Sequence, residues 1–144
     1  MSYNEPICLS IVLCDQVIED KRTNKKSYIG VFNDILVERL PAKHPCMYLV
    51  VSLTNCRGRH EIEITIARDT DLGQDQIMQI RGQIESKNPL DVIDLIFELR
   101  ATPIKGCGVH TIDVWMQPDA RRLAQRCFYV KQLPEHHPGS PRKE

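Results

Sequence analysis

The chain has 144 residues, 42% of them hydrophobic, and 19 basic side chains against 19 acidic ones, so its formal net charge is zero. That length and apolar content suit one globular domain that buries a full core without staples. A zero balance argues against a dedicated nucleic-acid binder, whose affinity rests on many cationic contacts to phosphate, and leaves room only for a local basic patch.

Ile7 to Ile18 is apolar on both faces, as expected of a central strand covered on each side. Glu19 to Lys26 is a charged hairpin tip, and Ser27 to Val37 is expected to return as a second strand through Tyr28-Ile29-Gly30-Val31-Phe32. Leu40 to Pro45 carries two prolines and reads as a loop, because proline cannot donate to a central ladder. Met47 to Leu53 is a third strand. Asn55 to Arg59 turns the chain, and Glu61 to Ile66 is a fourth, with Ile62, Ile64 and Ile66 inward and Glu61, Glu63 and Thr65 outward. Asp69 to Ser86 fits either a helix or a strand. Gly82 in mid-element costs a helix about 1 kcal/mol, which favours the strand.

Leu90 to Val130 holds the clearest pattern. Ile93, Leu95, Phe97 and Leu99 share one face, and after a turn at Lys105 to Gly108 the residues His110, Ile112, Val114 and Met116 alternate with Thr111, Asp113 and Trp115. A turn at Gln117 to Ala120 leads to a last strand ending Cys127-Phe128-Tyr129-Val130. Successive side chains of a strand point to opposite faces, so this period of two is a β signal. The expected architecture is all-β: an antiparallel β-sandwich of about eight strands over residues 1–133. Residues 134–144, with no apolar content, read as a disordered tail.

Several phrases resemble a family of small uncharacterised bacterial proteins of unknown function, expected to be Ig-like or C2-like β-sandwiches. They are Leu13-Cys14-Asp15-Gln16-Val17-Ile18, Lys26 to Phe32, Pro41-Ala42-Lys43-His44-Pro45, the closing alternation Gly108, His110, Ile112 and Val114, and Phe128 with Val130. The resemblance covers Cys8 to Val130. It implies a fold and brings no known activity. The chain departs from the family pattern at His110, where an aromatic is more usual, and at Asp69 to Gly73, where a turn containing proline is.

The six cysteines show no C-x-x-C pair and no zinc-finger spacing, so reduced thiols in a cytoplasmic protein are expected. The N-terminus carries no basic region ahead of an apolar run, and no segment approaches the roughly 18 apolar residues of a membrane span. Asp69, Asp71 and Asp75 place three carboxylates in one loop, a calcium-like set, although turn chemistry alone explains them. Cys14 with His44, His60 or His110 is the one nucleophile-and-base combination, the basis of an alternative reading as a Cys/His hydrolase. Cys14 sits within an apolar strand, which points to a structural thiol. His110 reads as a rim histidine bonded to backbone. His136 and His137 lie in the tail. No phosphate loop, nucleophile elbow or zinc-protease motif is present.

A count of loops supplies the remaining functional signal. If every strand crosses the sandwich, loops alternate between its two ends. The loops holding Lys21, Arg22, Lys25 and Lys26, then Arg57 and Arg59, then Lys87, then Arg121 and Arg122 share one end. The other end holds Asp69, Asp71 and Asp75 beside Lys43, Arg68 and Lys105. The expectation is therefore a non-enzymatic binding module of unknown ligand, with no catalytic residues, metal or cofactor. Its candidate anion site comprises Lys21, Arg22, Lys25, Lys26, Arg57, Arg59, Arg121 and Arg122, suited to an acidic protein or a polyanion.

Overall fold

The computed structural model describes residues 5–134, and among them it holds nine strands and no helix. They are β1 (Ile7–Glu19), β2 (Lys26–Val31), β3 (Asp34–Val37), β4 (Ala42–Thr54), β5 (Gly58–Thr70), β6 (Gly73–Ser86), β7 (Ile93–Ile104), β8 (Gly108–Gln117) and β9 (Arg121–Gln132). Two sheets result, a four-stranded one in the order β2-β1-β4-β7 and a five-stranded one in the order β3-β9-β8-β5-β6. Neighbours are antiparallel except β3, which runs parallel to β9. The five-stranded sheet curls into a half-barrel. Of the tail expected at 134–144, residues 135–144 lie outside the described residues.

The alternating apolar positions meet in one core. Leu13, Met47, Leu49, Val51 and Leu53 come from the four-stranded sheet, and Ile62, Ile64, Ile66, Ile112, Val114, Phe128 and Val130 from the other. Each such side chain contributes about 1.5–3 kcal/mol relative to exposure, which is what clamps the two sheets together. The ambiguous segment forms β6, a strand, with Ile84 inward and Ile77, Met78 and Ile80 packed against the core.

Two expected boundaries are corrected. Ser27 to Val37 is two strands in different sheets. After β2 the Phe32 amide donates to the Leu13 carbonyl, and the Tyr129 amide donates to the Asn33 carbonyl, so within two residues the chain passes from β1 to β9. Ala42 to Pro45 is no loop but the start of β4. There β4 pairs with β7 alone (His44 opposite Thr102), and pairing with β1 begins only at Tyr48 opposite Cys14. Proline is tolerated where one side of a strand has no neighbour.

The β1–β2 hairpin is curled. Lys26 lies opposite Glu19, whereas Asp94 lies opposite Ser52 and hence level with Ser10. A flat sheet would hold Lys26 and Asp94 far apart, yet Lys26 Nζ is 3.3 Å from Asp94 Oδ2. The hairpin therefore bends back over the outer side of the four-stranded sheet. Val50 and Cys14, which alternate with core positions and so point outward, are fully buried there.

Candidate functional site

β5 and β8 are neighbours in the middle of the five-stranded sheet, and their outward residues fall into register. Glu63 lies opposite Trp115, and Thr65 opposite Asp113. Across the flanking strands, Arg81 lies opposite Glu63, Gln79 opposite Thr65, Gln125 opposite Asp113 and Arg122 opposite Trp115. Period-two reasoning assigns this face to solvent. Yet Glu63 is only 6% exposed, and Asp113 and Thr111 are 4% exposed. Long amide and guanidinium side chains on both sides close over the shorter acids.

Each buried carboxylate is held by donors from adjacent strands. Glu63 accepts bonds from the Gln79 and Gln117 side-chain amides, with Arg81 Nε 3.7 Å away. Asp113 Oδ1 accepts from Gln125 Nε2 at 2.8 Å and faces Arg122 Nη1 at 3.5 Å. Charge-assisted bonds of this kind offset the cost of burying an ionised acid. Trp115 Nε1 donates to Thr65 Oγ1 at 2.9 Å, which pins the indole to the sheet. Between these groups lies a cleft of ≈ 400 Å³, lined by Glu63, Thr65, Gln74, Gln76, Asp113 and Trp115 among others. Two carboxylates faced by two guanidiniums leave it without net charge.

Of the eight cations expected in one anion site, strand pairing brings four to one end. Arg57, Arg59, Arg121 and Arg122 do share an end with Lys87, since Gly58 pairs with Ser86, Glu61 with Gln117 and Met116 with Arg121. The loop count fails at the first hairpin, because β2 returns only as far as Cys14 and β3 runs alongside β9, so the pair makes no crossing. Lys26 lies over the outer side of the four-stranded sheet, and Lys21, Arg22 and Lys25 belong to the same hairpin. Arg122, paired with Asp113, lies across the core from them, on the five-stranded sheet. Several of these charges are also met by acids. Arg59 lies 3.5 Å from Glu85, Arg121 bonds Glu5 and lies 3.3 Å from Asp119, and Lys26 holds Asp94.

The other sequence candidates occupy separate places. Burial pushes the Cys14 thiol above its ordinary range, and the charge on Asp15 adds to this. His60 Nε2 lies 2.9 Å from the Arg57 carbonyl. His110 is not at the rim. It is fully buried, with Nδ1 3.1 Å from the Gly108 carbonyl and its ring 5.0 Å from that of Phe128. Desolvation holds its pKa below the usual histidine value, and nearby Arg68 acts in the same direction. In the carboxylate loop, Asp69 accepts from Gln74 Nε2 at 3.0 Å and Asp75 lies 3.9 Å from Lys105. Among the described residues, no group of three or more His, Cys, Asp or Glu side chains is arranged to hold a metal ion. All six cysteines are free.

Sequence reasoning missed the outer face of β5 and β8 as a site. The available signal was compositional: Gln76, Gln79, Arg81, Gln117, Arg122 and Gln125 are all long hydrogen-bonding side chains at outward positions around the one tryptophan. What made them a site is the pairing of β5 with β8, two strands separated by two others in the chain.

Among curated proteins, none matches this sequence. A match to the profile of a family of unknown function, DUF6941, runs over residues 9–131, from within β1 to within β9, and so takes in both sheets and the whole outer face. The chain belongs to that family of unknown function, DUF6941.

Proposed function

We propose that this protein is a non-enzymatic binding module whose ligand surface is the outer face of the five-stranded sheet around Trp115. The observation that carries the reading is the cleft itself, in which polar groups and a pinned indole are held in fixed positions by neighbouring strands. Preorganised groups lose little freedom on binding, which is what a recognition surface requires. Both oxygens of Glu63 are occupied by amides, and Cys14 is buried with a raised pKa, so neither is poised for proton transfer or attack. Thiol labelling of the native protein tests the reading against a cysteine enzyme. Exposed Cys107 and Cys127 should react first, and Cys14 and Cys56 only on unfolding. Labelling of Cys14 ahead of the exposed thiols would defeat the proposal.

A second reading keeps the basic end. Arg57, Arg59, Lys87, Arg121 and Arg122 share it and would suit an acidic partner. Retention on immobilised heparin that falls steeply with salt would support this reading. It stands second because Arg59, Arg121 and Arg122 already face carboxylates. An Ig-like or C2-like classification of the two sheets and a bacterial, cytoplasmic setting belong to the same proposal. The free thiols support the setting. Among the described residues no helix is long and apolar enough to cross a membrane.

A further inference from the structure

We infer that the Trp115 cleft takes a neutral polyhydroxyl ligand, a carbohydrate; this rests on the binding-module reading and names its ligand class. Small-molecule sites span about 300–1,000 Å³ and are mostly apolar with a few polar groups. This cleft, at ≈ 400 Å³, falls within that range, and most of the residues that line it carry polar side chains. Apart from Trp115 and two alanines, its lining residues carry carboxylate, amide and hydroxyl groups, so a ligand with hydrogen-bonding groups of its own matches it better than an apolar one.

Charge narrows the class further. An anionic ligand meets the two carboxylates of the lining, and a cationic one finds each already faced by an arginine, Glu63 by Arg81 and Asp113 by Arg122. A neutral ligand leaves both pairs intact. Asp113 accepts, the amides of Gln74, Gln76 and Gln117 donate and accept, and Thr65 does both. Hydroxyl groups, each a donor and an acceptor, match that mixture.

A further observation points the same way. Trp115 is the one tryptophan of the chain, and its Nε1 bond to Thr65 fixes the indole within the lining. A fixed indole is the apolar partner that the C–H face of a sugar ring needs within a polar surface.

Because Trp115 is unique, the fluorescence of the full chain reports the cleft directly. The probes are the neutral hexasaccharides of cellulose, amylose, xylan, mannan and chitin, with a heparin hexasaccharide and spermine as charged arms. A saturable change in Trp115 emission with at least one neutral sugar, absent with both charged probes, is the expected result. Calorimetry with that sugar should then show at least a tenfold loss of affinity for Asp113→Asn and for Trp115→Phe. Far-UV circular dichroism confirms that each variant is folded. No saturable response to any neutral sugar up to about 10 mM, beyond the range of useful affinity, would overturn the inference. So would undiminished sugar affinity in both Asp113→Asn and Trp115→Phe. A response to heparin or spermine alone would overturn the ligand class and leave the binding reading standing, whereas that reading falls separately on the labelling of Cys14.

Discussion

Replacing Glu63 by glutamine probes the outer face at its centre. The change keeps volume and rotamer but turns one carboxylate oxygen into an NH2 group. Glu63 Oε1 accepts from Gln79 and Oε2 from Gln117. Whichever way the new amide turns, it accepts one of these bonds and sets a donor against the other. A hydrogen bond to a charged group contributes about 1.5–3 kcal/mol net, and one between neutral groups about 1 kcal/mol. Losing the first kind once and weakening it once amounts to roughly 2–5 kcal/mol. Two effects reduce that figure. The buried carboxylate no longer has to be desolvated, and Gln79, exposed at its outer end, regains water. The expected net loss is about 1–2 kcal/mol, equivalent to a fall in Tm of about 2–8 °C for a domain of this size. Glu61→Gln, on the same face of the same strand but exposed, should stay within about 0.5 kcal/mol of the parent. Urea unfolding followed by far-UV circular dichroism measures both. Equal effects at the two positions, or a loss below about 0.5 kcal/mol at Glu63, would refute the hydrogen-bond grid.

Gly30 sits at φ +69, where a side chain costs about 1–2 kcal/mol, and a Cβ there would lie 2.3 Å from Asp15 Oδ2. Gly30→Ala should therefore lower the urea midpoint, whereas Gly82→Ala, with nothing within 4 Å of the new Cβ, should leave it unchanged or raise it. Phe128, fully buried against His110, should cost about 3–5 kcal/mol on replacement by alanine, read from the same urea curves. The lowered pKa of His110 means that the unfolded chain takes up a proton before the folded one does. Stability is then at its full value above about pH 6.5 and falls as the pH drops from there towards the lowered value of the folded state. Unfolding curves at pH 7 and pH 5 should differ less in His110→Leu than in the parent; an identical difference would place the acid sensitivity elsewhere.

Local pattern alone determined most of the strand segments and which way the residues within them point. Alternation marked β5, β7 and β8 closely, and it put Glu63, Thr65, Asp113 and Trp115 on outward faces, where they are. It did so because side-chain direction along a strand depends only on the neighbouring residue. Glycine in mid-segment likewise separated strand from helix at β6. Tertiary structure decided everything that depends on which strands are neighbours. The passage at Phe32 and Asn33 from one sheet to the other, the parallel β3, and the curl that carries Lys26 to Asp94 leave no mark in the spacing of residues. The missing crossing upset the count of loops, and the pairing of β5 with β8 buried two acids that alternation assigned to water. Burial of an outward side chain is set by the length and charge of its cross-strand neighbours, and those neighbours are chosen by the fold.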